Sequence, residues 1–205
     1  MGSIGGQQVP VVAKAGSWIP GADLNRVAAF LNLAVDPRCP LPAEVLIDRL
    51  QHVLATAVRL TNQFPAQRLT AKLPNRDRTV LALANHIVEI AAGYLRVEAG
   101  RPFDGAVAGA IPNRELDLRD LATRSASVRA RLAALRPAPD DDVETQNGMS
   151  NRHLVLERCT WHAAQHTRQL AFMLERLGIV PDRALTVADL AGLPLPEAVW
   201  DAEPS

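Results

Sequence analysis

The sequence predicts an all-α fold: a four-helix bundle with long crossover loops, plus a small N-terminal β-strand/helix appendage. Three observations carry this expectation. Aromatic residues make up only 4% of a chain that is 48% hydrophobic, so Ala, Leu and Val supply most of the apolar side chains, and Ala and Leu are strong helix formers. Apolar residues then recur with a 3.6-residue period in four stretches of about twenty residues. Three long loops, 63–78, 100–116 and 136–149, separate these stretches. Bundle connections usually take about two to eight residues, and longer ones suit a crossover topology.

The elements follow in chain order. Residues 9–14, VPVVAK, read as a short strand. A turn follows, AGSWIPGAD, and then a helix over 22–33 with Asp23 as its N-cap. The run DPRCPLP at 36–42 holds three prolines and is read as a boundary, between an appendage at 1–38 and the main domain at 39–205. The first long helix is expected from Pro42 to Asn62, with Val45, Leu46, Leu50, Val53, Leu54, Ala57 and Leu60 inward. The second is expected from Thr79, its cap, to Ala99. The third covers 117–135 with Leu118, Leu121, Ala122, Ser125, Val128, Leu132 and Leu135 inward. The loop before the fourth helix is acidic at Asp140, Asp141 and Asp142, and the fourth helix covers 150–177 and stops at Gly178. The tail is expected to hold one short helix and to pack Trp200 on the body.

Composition excludes several classes of function. Formal net charge is zero, which leaves no basic footprint for nucleic acid. No run of about 18 consecutive apolar residues exists, so no membrane span is expected. The start, MGSIGGQQVP, lacks the form of a secretion signal, and Cys39 and Cys159 lie 120 positions apart. A disulfide framework is not expected, and the cytoplasm is the default compartment.

The chemistry concentrates in WHAAQHTRQL, residues 161–170, where His162 and His166 stand four apart on one helix face. Five histidines would give such a pair by chance about one time in ten, so a third ligand is what gives it meaning. His86 is the first candidate, because it shares a face with Leu83, Ile87 and Ile90 on the apolar second helix. His52 lies on the flank of its helix stripe. His153 precedes His162 by nine residues, about 14 Å at the helical rise, too far to share an ion. Three neutral imidazoles with open positions suit zinc first, with nickel, iron, copper or manganese as further choices. A buried core histidine remains the alternative for His86, and an unliganded surface or core pair for His162 and His166.

Other residues near this face are candidates for supporting roles. Cys159 lies one turn before His162 and can reach the ion or its substrate space, although a small buried hydrophobe is the commoner role of such a residue. Glu89, three residues past His86, and Glu157 are the nearest carboxylates for a general base. Gln165 and Gln169 can orient ligands, and Gln169 is better placed, three residues past His166. Arg168 and Glu175 are expected in solvated surface pairs.

With NHIVEIA on the second helix and ERCTWHAAQHTRQL on the fourth, the chain resembles the DinB/YfiT-like superfamily of metal-binding four-helix bundles. The resemblance covers about residues 42–177, and LPNRDRTVLALANH is similar to the turn that precedes the second helix in that family. It implies a divalent metal held by His86, His162 and His166. It also implies, for several members, S-transferase or isomerase activity with a low-molecular-weight thiol. VPVVAKAGSWIPGADLNRVAAFLNL is similar to the closing half of a glutaredoxin without the redox half, which turns the thiol expectation toward glutathione. The expected function is thus a metal-dependent enzyme acting on a small-molecule electrophile, with a metal-activated-water hydrolase and a non-catalytic metal-binding stress protein as alternatives. Paired bundles in the resembling family imply a homodimer.

Overall fold

Three of the four long helices begin after a residue whose side chain satisfies the first free amides, and the other begins after a proline. The computed structural model describes residues 11–21, 24–34, 39–72, 78–104, 117–136, 140–145 and 148–200. Helix α2, Ala43–Thr61, starts after Pro42, whose φ of −50° is already near helical. Helix α4, Val80–Glu98, is capped by Thr79, whose hydroxyl accepts from the Ala82 amide at 3.1 Å. Helix α5, Leu118–Ala134, is capped by Asp117, which accepts from the Asp120 amide at 2.6 Å. Helix α6, Arg152–Arg176, is capped by Asn151, which accepts from the His153 and Leu154 amides at 2.9 and 3.2 Å. Past its C-terminus Gly178 takes a φ of +74°, a conformation that favours glycine. Each cap satisfies donors that have no partner inside the helix.

These helices pack around one core. Helices α2 and α4 each lie against both α5 and α6, while α5 and α6 make little contact with each other. Leu46, Leu50, Leu54 and Leu60 of α2 meet Leu83, Ile87, Ile90 and Tyr94 of α4, with Leu132 from α5 and Leu156, Leu170 and Leu174 from α6, all fully buried. Each such aliphatic side chain contributes about 1.5–3 kcal/mol on burial. One expectation needs qualifying here. Helix α4 is long and apolar enough to cross a membrane by length and composition, with a mean hydropathy of 1.3, but 83% of its apolar window is buried inside the protein. Asn85, His86 and Glu89 interrupt its apolar run, so counting consecutive apolar residues passes over it.

The strands were only partly legible. β1, Val11–Lys14, pairs antiparallel with β2, Ser17–Pro20, where the sequence suggested a turn. Ala15 and Gly16 supply positive φ values of 50° and 80°, the two-residue turn that fits a hairpin. Helix α1, Leu24–Leu31, follows, and Lys14 donates to the Leu31 carbonyl at 2.8 Å. The expected cap Asp23 lies outside the described residues, as do residues 73–77 of the family-like turn.

The connection from α5 to α6 is a second hairpin rather than a plain loop: β3, Asp142–Thr145, pairs with β4, Gly148–Asn151. Val143 and Thr145 point inward while Asp142 and Glu144 stay outside, the two-residue period of a half-buried strand. Arg152 fastens it, donating to both Asp141 carboxylate oxygens, at 2.6 and 3.1 Å, and to the Val97 carbonyl at 3.1 Å.

Two short helices remain among the described residues. α3, Ala66–Leu69, sits in the linker after α2, and α7, Val187–Leu190, opens the tail with a capping box between Thr186 and Asp189. Past α7 the chain runs back along α6 and stacks Trp200 on Phe172, ring centroids 6.4 Å apart.

Candidate metal centre

The packing of α4 on α6 brings His86 against His162 and His166. Helix α4 is buried almost all round, so the one imidazole in its middle faces the core whatever its phase. On α6 the two histidines share the face that meets α4. One ligand atom from each of the three lies within 4.8 Å of the others. Ring centroids are 5.4 Å apart for His86–His162, 5.0 Å for His86–His166 and 4.7 Å for His162–His166. The two Nε2 atoms of His162 and His166 stand 3.0 Å apart. Two imidazole nitrogens bonded to one ion at about 2.05 Å are separated by about 2.9 Å at a right angle and about 3.4 Å at the tetrahedral angle. The three side chains therefore lie close enough to bind one metal ion.

The electrostatics keep His162 in ligating form. Burial, first of all, pushes the His162 imidazolium well below the ordinary histidine range, and the positive charges of His166, His86, Arg158 and Arg78 add to it. A neutral ring carries the lone pair a metal needs. His166 has its tautomer set from behind. Gln169 donates its side-chain amide to the Val199 carbonyl at 3.2 Å, which turns its Oε1 toward His166 Nδ1 at 2.8 Å. Nδ1 then carries the proton, and Nε2 is left with a lone pair facing His162. Trp161 lies tilted beside His162 with ring centroids 5.7 Å apart.

The remaining predicted residues are placed variously. Gln165 does not touch the histidines. It donates to the Ala198 and Val199 carbonyls at 3.2 and 2.9 Å and accepts from Arg168 at 2.8 Å. Arg168, expected in a surface pair, instead donates to the Pro196 and Glu197 carbonyls. Gln165 sits one residue, a 100° step, away from His166, and that step aims it at the tail.

Cys159 is buried and free, outside the histidine cluster, with its thiol pushed up to about 12 mainly by desolvation. Its charged neighbours are Arg158 and Arg96. Glu89 is bound by Arg124, which also holds Asn85, and lies 3.7 Å from Arg96. Glu157 is buried and is not part of the cluster. His52 is exposed, 3.6 Å from Asp189, and His153 Nε2 lies 2.7 Å from the Leu41 carbonyl. Neither reaches the site.

The sequence reading missed two arginines, Arg78 and Arg158, whose charges fall on His162. Arg158 had a legible signal: it stands four residues before His162, on the same helix face. Arg78 is brought near from the loop ahead of α4, which no helical spacing foretells. No family model, curated protein or solved structure matches this chain.

Proposed function

We propose that the chain is a metal-dependent enzyme of the DinB-like four-helix-bundle class. His86, His162 and His166 hold a divalent ion, zinc in first place, and a low-molecular-weight thiol of glutathione type takes an open coordination position. The reaction is S-transfer, isomerisation or thiolysis of a small electrophile. One observation supports this above the others: three imidazoles converge, and among the described residues no Cys, Asp or Glu joins their cluster. A closed structural zinc site needs a fourth protein ligand, whereas three ligands leave room for a reactant. The order of helices and the placement of the histidines on α4 and α6 agree with the resemblance carried by NHIVEIA and WHAAQHTRQL.

A divalent ion held there supplies Lewis acidity that lowers the pKa of a bound thiol, so that sulfur becomes the nucleophile. The protein's own part is to keep His162 neutral by burial and to hold His166 in the Nε2-ligating tautomer through Gln169. Hydrolysis through activated water is the weaker reading. It asks for a carboxylate base at the ion, and Glu89 is taken up by Arg124 and Arg96 while Glu157 lies outside the cluster.

Metal analysis of the purified protein, followed by Co(II) substitution, tests the proposal. The expected result is near-stoichiometric divalent metal that His162→Ala loses, and a sulfur-to-cobalt charge-transfer band on adding glutathione. Metal retained by His162→Ala sinks the triad. A Co(II) spectrum unmoved by glutathione sinks the thiol assignment alone.

A further inference from the structure

The end of the tail is held by the helix that carries two of the three histidines, and one of its anchors passes through a candidate metal ligand. Up to Leu193 the tail is fastened elsewhere. Arg59 takes the Asp182 and Arg183 carbonyls at 2.9 and 2.7 Å, Arg49 takes that of Ala191, and Leu193 is buried. Past Pro194 the chain lies on α6. Arg168 holds the Pro196 and Glu197 carbonyls at 2.8 and 2.9 Å, and Gln165 and Gln169 both hold that of Val199. Trp200 stacks on Phe172. Gln169 also meets His166.

That shared amide has two orientations, and the histidine pair chooses between them. A carbonyl oxygen only accepts, so Gln169 must turn its Nε2 to Val199 and its Oε1 to His166 Nδ1. The Nε2 atoms of His162 and His166 stand 3.0 Å apart, and with no ion between them one of the two must hold a hydrogen. Two arrangements of equal charge satisfy this. When His162 holds the hydrogen, His166 keeps Nδ1–H and the tail bond stands. When His166 holds it, Nδ1 is bare and calls for the amide's Nε2. Gln169 then points Oε1 at the Val199 carbonyl, acceptor against acceptor, which is costly away from water. An ion shared by both Nε2 atoms rules out the second arrangement, because neither nitrogen can keep a hydrogen. The ion's charge also makes Nδ1–H a stronger donor.

We propose that residues 196–200 are a strap coupled to the metal centre: a filled site holds them on α6, and an empty site releases them for part of the time. The Gln169 amide is the two-state element, and each of its orientations suits one state of the strap. This rests on the three-histidine metal reading given above and adds a means of control to it. By linkage, the docked strap tightens metal binding by the factor by which metal tightens docking, about fivefold or more.

The test is fluorine NMR of the full chain labelled with 5-fluorotryptophan, with zinc alone as the added probe. Tryptophans 18, 161 and 200 give three signals, assigned by single replacements with Phe. Trp161, beside His162, reports the arrival of zinc, and Trp200, on Phe172, reports the strap. The apoprotein is warmed until a released Trp200 signal is visible beside the docked one. Zinc is then expected to move the Trp161 signal and to raise the docked-to-released ratio at Trp200 about fivefold or more. In Gln169→Leu, at saturating zinc, Trp161 is expected to respond while the Trp200 ratio stays fixed. Arg168→Met combined with Trp200→Leu removes two anchors that make no hydrogen bond to a histidine, and is expected to weaken zinc binding about fivefold. Losing Gln165 alone leaves Arg168, Gln169 and Trp200 in place and the strap docked. Zinc that does not bind, leaving Trp161 unmoved, overturns the metal reading and this inference with it. Four results overturn the strap alone: a Trp200 ratio indifferent to bound zinc, a tail that leaves only on global unfolding, a zinc response that survives in Gln169→Leu, or full zinc affinity in the folded double variant.

Discussion

Replacing Gln169 by Leu separates the two things this side chain does. Gln169 accepts from His166 Nδ1 at 2.8 Å and donates to the Val199 carbonyl at 3.2 Å. Leucine fills a similar volume and makes neither bond. Two neutral hydrogen bonds at about 1 kcal/mol each put the stability loss near 2 kcal/mol. That is a drop of roughly 4–8 °C in Tm for a chain of this size. The larger effect falls on the metal. An imidazole without its rear acceptor samples the wrong tautomer, and loss of such a partner typically weakens metal affinity about 10–100-fold, or 1.4–2.7 kcal/mol. Zinc competition against a chromophoric chelator measures this directly. Gln165→Ala is the control, because Gln165 holds the Val199 carbonyl too, at 2.9 Å, and that of Ala198 at 3.2 Å, with no hydrogen bond to a histidine. It is expected to loosen the tail and leave zinc affinity within about twofold of wild type. Gln169→Glu, which offers His166 a stronger acceptor, is expected to retain the metal. If Gln169→Leu binds zinc as wild type does, or if Gln165→Ala weakens it equally, the relay from Val199 to His166 is refuted.

Two further outcomes test the packing. Thiol titration of the native protein at pH 8 should count one reactive cysteine, the exposed Cys39, and two after denaturation. Burial raises the Cys159 thiol to about 12, so its contribution to stability is complete below the unfolded value of about 8.5 and is lost as pH rises through the folded one; rapid native labelling of both thiols would contradict this. Gly192→Ala should cost about 1–3 kcal/mol by thermal melting. The new Cβ would lie 2.9 Å from Leu41 Cδ2 at a backbone φ of +80°, so an unchanged Tm would show that the tail does not pack on Leu41 as described.

Much of the helical frame could be read from residues because the signals are local. Thr79, Asp117 and Asn151 stand where the caps form, and Gly178 marks the end of α6. The histidine cluster was legible for a related reason: i,i+4 spacing fixes a shared face, and a helix that is apolar on most of its surface leaves His86 only a core to face. The strands were hidden where local chemistry argued otherwise. Asp140, Asp141 and Asp142 made a strand look like a solvated loop, although Val143 and Thr145 alternate inward. Pro20 and Gly21 made β2 look like a turn. The roles of Gln165 and Arg168 depended on a tail some thirty residues further on, a contact that no spacing within α6 encodes.

The tail is held by its backbone. Gln165, Arg168 and Gln169 take the carbonyls of Pro196, Glu197, Ala198 and Val199, not their side chains. Recognition of this kind is indifferent to which side chains stand at these four positions and strict about how many residues there are. Substitutions at 196–198 should pass unnoticed at His166, whereas inserting or deleting one residue between Leu193 and Val199 would shift the carbonyl row out of step and reach the centre from outside it.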